Sequence, residues 1–89
     1  MTDWSLEFQL EAEKDLAKLD LSIRRRIIDK LTWLLENFEN IIPEVLTGEF
    51  SEFCKLRVGD WRVKYKVNWQ NNIITVVYID RRDKAYKKR

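Results

Sequence analysis

Histidine is absent from these 89 residues, and cysteine appears once, as Cys54. The first absence removes histidine acid–base chemistry; together they remove the usual Cys/His zinc site and any internal disulfide. Glycine occurs twice and proline once, too few for a linker-like, collagenous or disordered chain. No apolar run approaches the ~18–20 residues that span a bilayer. The opening MTDWSLEFQLEAEKD is acidic and alternating, where a signal peptide is basic and then apolar. The expectation is a folded cytoplasmic protein with no membrane segment, no metal and no cofactor. What is present supports folding: 45% of residues are apolar and 36% charged, on a length that suits one domain, 1–89, around one core.

The net charge of +2 hides a segregation. The first 50 residues carry six Lys or Arg against eleven Asp or Glu, a balance of −5, and the remaining 39 carry eleven against four, a balance of +7. A basic half suggests a polyanionic partner, nucleic acid above all; the plainer alternative is that the two halves neutralise each other across the fold.

Trp4, Leu6 and Phe8 alternate with Asp3, Ser5, Glu7 and Gln9, which predicts a half-buried strand over 3–9. Ala12, Leu16 and Leu19 shift to helical spacing, for a short helix from Leu10 to about Leu19. Glu7, Glu11, Glu13 and Asp15 are scattered and read as a solvated face. Behind Asp20 or Ser22 as candidate N-cap, Ile23, Ile27, Ile28, Leu31, Leu34, Leu35 and Phe38 trace one face of a second helix over 22–38. Arg24, Arg25 and Arg26 fall on its outer surface. Residues 40–48, with Pro43, read as a loop.

Three alternating strands follow as a meander. FCKLRV (53–58) and WRVKYKVNW (61–69) are joined by Gly59-Asp60, a two-residue hairpin turn. That turn sets Leu56 against Val63 and Cys54 against Tyr65 on one face, with Arg57 against Arg62 and Lys55 against Lys64 on the other. A second tight turn at Asn71-Asn72 would set Trp69 against Ile74, Tyr65 against Tyr78 and Arg81 against Arg62. Trp61 and Trp69 then belong to the core, and Cys54 is a small buried hydrophobe. Lys55, Arg57, Arg62, Lys64 and Arg81 share one patch. Directly opposed like charges cost up to about 1 kcal/mol per pair, so their clustering on a rigid sheet points to a multiply charged anion.

LRVGDWRVKYKV (56–67) followed by ITVVYIDRRDKAYKK (74–88) resembles the RelE branch of the RelE/ParE toxin superfamily, with its basic strand, turn, aromatic-Arg-Val strand and closing Arg-to-Tyr tail. The resemblance implies an α+β fold with a small antiparallel sheet, ordered strand, two helices, three-stranded meander and short C-terminal helix, the two helices on one side. It also implies a ribosome-dependent, metal-independent mRNA endonuclease that meets mRNA in the decoding site beside ribosomal RNA and is silenced by a cognate antitoxin. Lys55, Arg57, Arg62 and Tyr86 match the family's positions, and Arg81 falls where several relatives carry His. Phe53 departs from relatives that are basic there, and without histidine only the Lys/Arg version of the site carries over.

RNA supplies its own nucleophile, the 2′-hydroxyl, so cleavage needs deprotonation, charge stabilisation and a proton for the leaving 5′-oxygen. Lys55, ringed by cations that disfavour its charged form, is the expected base; Arg62 offers bidentate donors to the phosphate. Arg81 is assigned to the leaving-group side or to a second clamp, and Tyr86 to stacking on a splayed base. Arg57, Lys64, Arg82, Lys84 and Lys87 are the expected RNA-binding cations. The antitoxin is expected on the apolar residues of the first strand and helices and on the tail around 83–88. Two other functions stay open: a ParE-like DNA gyrase inhibitor and a non-catalytic RNA-binding module.

Overall fold

The computed structural model describes residues 3–45 and 53–81. Strand β1 (Ser5–Phe8) leads into helices α1 (Leu10–Ala17) and α2 (Leu21–Asn37), and a 3-10 turn at Phe38–Asn40 closes α2. Strands β2 (Glu44–Val45), β3 (Cys54–Val58), β4 (Trp61–Asn68) and β5 (Ile73–Arg81) follow. All five form one sheet in the order β1-β5-β4-β3-β2.

The α+β class is as expected, but the sheet differs in two places. β1 lies parallel to β5, with Leu6 across from Ile74 and Phe8 across from Val76, so the sheet is mixed and not wholly antiparallel. Alternation identifies a strand without giving its direction, and the long connection through α1, α2 and β2 to β4 brings β5 back beside β1 in the same direction. Glu44 and Val45, expected in a loop, pair with Lys55 and Cys54 as a short edge strand; two residues are too few to show a period. The expected C-terminal helix lies outside the described residues.

The apolar stripe of α2 makes the core. Ile27, Leu31, Leu34 and Phe38 are buried against Leu56, Val63, Tyr65, Ile74 and Val76 of the sheet. Ile28, on the rim of that stripe, stays exposed. Asp20 is the α2 N-cap, though its side chain makes no capping bond. Asp15 corrects the reading of a solvated acidic face: its Oδ2 accepts a hydrogen bond from the Ile79 amide at 3.0 Å. That bond serves a stretch of the β5 edge beyond the four residues β1 pairs with.

The β3–β4 hairpin has the expected register throughout, from Val58 opposite Trp61 to Cys54 opposite Tyr65. Gly59 opens its two-residue turn at φ 61°, a backbone that glycine adopts without strain. The β4–β5 hairpin does not. Its turn takes four residues, Trp69 to Asn72, so Asn68 faces Ile73 and Tyr65 faces Val76. Asn72 takes the positive φ, and Asn68 Oδ1 accepts the Asn71 amide at 3.0 Å, an Asx-type closure that the Asn71-Asn72 signal does not reveal. Trp69 is consequently in the turn and 61% exposed, not in the core; it meets Trp4 and Phe38 at the core's edge, with centroids 5.5 and 5.4 Å away. Trp61 does pack against the core.

Candidate nucleic-acid interface

Because side chains alternate along a strand, the residues between Trp61, Val63 and Tyr65 face away from the helices. On that open face, Arg57 stands directly across from Arg62 and Lys55 across from Lys64. The third strand changes the picture. A bulge opposite Lys64 and Tyr65 makes Val77 an extra residue, so Tyr78 faces Lys64, Asp80 faces Arg62 and Arg81 faces Trp61. Tyr78 was expected beside Tyr65 on the apolar face, and Arg81 beside Arg62; one inserted residue moves each to the other side. Arg81 is exposed and rests 5.7 Å from the Trp61 ring centroid. The patch on the open face is therefore Lys55, Arg57, Arg62 and Lys64 with Asp80 and Tyr78, neither of which the sequence pattern singled out.

Burial in the patch is uneven. Arg57 is exposed and Lys55 half-buried, whereas Arg62 is 4% and Lys64 1% exposed. Two neighbouring cations removed from water are costly unless a counter-charge and hydrogen bonds offset them. Asp80 supplies the charge, its Oδ2 lying 3.9 Å from Lys64 Nζ. The Tyr78 ring lies 5.4 Å from the same Nζ and contacts Phe53 at 6.2 Å. Phe53 thus walls the cations and takes Lys66 over its own ring at 5.2 Å. Arg62 donates from Nη1 to the Trp61 carbonyl at 3.5 Å, and its Nε is buried with no hydrogen-bond partner among the described residues. Among the described residues, two buried cations stand beside the carboxylate of Asp80. Cys54 takes no part: it is buried on the helix side, and burial pushes its thiol pKa up against the lowering effect of the Tyr65 hydroxyl. Tyr86, Arg82, Lys84 and Lys87 lie outside the described residues.

A mixed sheet backed by two helices, with a cationic face away from them, makes this a small basic α+β protein. Residues 6–86 match the family of ParE toxins of type II toxin–antitoxin systems, and the chain belongs to that RelE/ParE family. It is 29% identical to a Methanocaldococcus jannaschii protein named "Putative toxin RelE1", over 79% of this chain and 97% of that one. Its fold is similar to that in the RelBE2 toxin–antitoxin complex of Mycobacterium tuberculosis, with a TM-score of 0.80 at 20% identity, covering 91% and 100% of the two chains. The archaeal RelE–RelB complex of Pyrococcus horikoshii gives a TM-score of 0.71 at 23% identity, covering 94% and 100%. At these identities the structural likeness is one of fold.

Proposed function

We propose that this toxin is an endoribonuclease that cuts mRNA in the ribosomal decoding site by attack of the RNA 2′-hydroxyl on the adjacent phosphate, without a metal. The observation that carries the reading is the pair of opposed cation rungs, Arg57–Arg62 and Lys55–Lys64, on the open face. A strand rung selected for stability alone would alternate sign; a rung selected to hold phosphate would not. Arg62 sits over the phosphate and stabilises the charge that develops there. Lys55, directly across from Lys64, is the base that accepts the 2′-hydroxyl proton, since adjacent like charges disfavour double protonation. Exposed Arg57 holds the flanking backbone, and Lys64, buried beside Asp80, adds positive potential beneath it. Arg81, turned away from this patch beside Trp61, takes no part in the step, while Tyr86 stacks on a base and Arg82, Lys84 and Lys87 bind RNA from the tail. Similar toxins are found in toxin–antitoxin complexes, and a cognate antitoxin silences this one in the resting cell.

Induced expression followed by primer-extension mapping of transcripts tests the reading. Codon-phased cuts with cyclic phosphate or 3′-phosphate ends, unchanged by chelator when magnesium is restored to the ribosomes, are expected. Deleting residues 82–89 should abolish cutting. The family's ParE name supports a second reading, inhibition of DNA gyrase, which predicts DNA damage and intact transcripts in the same cells.

A further inference from the structure

One cationic feature lies outside the patch. Arg26, Asp29, Lys30 and Trp33 recur at i, i+3, i+4 and i+7, which places them on one face of α2. Together with Arg57 and Gly59 they line an open groove of about 470 Å³ beside the β3–β4 turn. Arg26 is held there by a close approach, since a Cβ on Gly59 would lie only 2.8 Å from its Nη2. Glycine at this turn serves the positive φ, and the Arg26 guanidinium lies close over it. Trp33 is 42% exposed and carries Lys30 Nζ at 4.1 Å from its centroid. Arg57 lines this groove and stands across from Arg62 on the sheet, so it belongs to both.

We infer that this groove seats a nucleotide of single-stranded RNA flanking the scissile phosphate, its base stacked on Trp33 and its phosphate between Arg26 and Arg57. Three cations against the single carboxylate of Asp29 favour a polyanion, the exposed indole favours a base, and Arg57 makes the path continuous with the patch. The inference rests on the proposed RNA substrate and extends it to a second contact on a different element.

The probe is a fluorescein-labelled 2′-O-methyl oligoribonucleotide of about ten residues, which lacks the attacking hydroxyl, bound to the full chain and followed by anisotropy. Trp33→Ala should weaken binding about tenfold, within the range for one stacked base. Trp69→Ala, which removes the more exposed tryptophan at the far end of β4, should leave binding within about twofold, as expected where no base stacks. Arg26→Gln should reduce the salt slope by about 0.7, one phosphate contact on a single strand. If Trp33→Ala fails to fold, Trp33→Leu keeps the apolar cover without the stacking face, and RNA should quench the Trp33 emission, read as wild type minus Trp33→Leu because the chain has four tryptophans. Binding by the Trp33 variants equal to wild type overturns the inference, as does quenching of Trp33 by an acidic peptide and not by RNA. Transcript cleavage is scored separately. Cutting with Trp33-independent binding sinks the groove and spares the nuclease, while Trp33-dependent binding without cutting does the reverse.

Discussion

The two faces of the sheet share the same strands and obey opposite rules. On the helix side Val63, Tyr65, Ile74 and Val76 meet Ile27, Leu31 and Leu34 of α2 in a packed apolar core. On the open side the intervening residues Arg62 and Lys64 are as thoroughly buried as that core, yet they are cations set rung against rung with Arg57 and Lys55. The helix face gains from burial in proportion to area. The other face incurs a desolvation cost, against which Asp80 stands as a counter-charge beside Lys64.

Four measurements sharpen that contrast, from the largest expected effect to the smallest. Leu31→Ala opens a cavity under a fully buried side chain and should cost about 2–5 kcal/mol in urea unfolding, with loss of function only through loss of fold. Arg62→Ala should do the opposite. The fold is kept, its urea midpoint falling less than for Leu31→Ala because a desolvated cation leaves with the lost packing, while transcript cleavage falls roughly 100- to 1000-fold, the usual value of one donor aimed at developing charge, about 2.7–4 kcal/mol. A fully active Arg62→Ala protein would sink the assigned site. Asp80→Asn is the mixed case: it removes the carboxylate beside buried Lys64 and should destabilise the fold by about 1–3 kcal/mol. Equal stability of the asparagine variant would mean that Asp80 does not compensate the buried cations.

The smallest effect belongs to Cys54, on the core side. Burial raises its thiol pKa, so between the unfolded and folded values the native state binds more protons than the unfolded one. Its contribution is fully present below the unfolded pKa, near pH 8.5, and is lost as pH rises through the folded pKa. Urea midpoints at pH 8 and pH 10 should therefore fall more for the wild type than for Cys54→Ala. Parallel slopes for the two proteins would show that the thiol is not desolvated.

Local chemistry alone determined a good part of this molecule. The spacing of Ile27, Leu31, Leu34 and Phe38 specified the buried face of α2, because helical periodicity is carried by each turn independently of what packs on it. Gly59-Asp60 and the alternation on either side specified the β3–β4 register, and with it both cation rungs, because a two-residue turn leaves only one pairing. The resemblance of residues 56–67 and 74–88 to the toxin family depended on those same local motifs.

Tertiary structure decided what no local motif encodes. The four-residue turn at Trp69–Asn72 and the extra residue Val77 are settled by how β5 lies between β1 and β4, with the Asp15 carboxylate taking the Ile79 amide from 64 residues away in the chain. That single insertion turned Arg81 off the open face and put Asp80 and Tyr78 onto it. The parallel pairing of β1 and the depth at which Arg62 and Lys64 are buried also come from packing between distant segments, since direction and burial are properties of neighbours in space, and residue order records only neighbours along the chain.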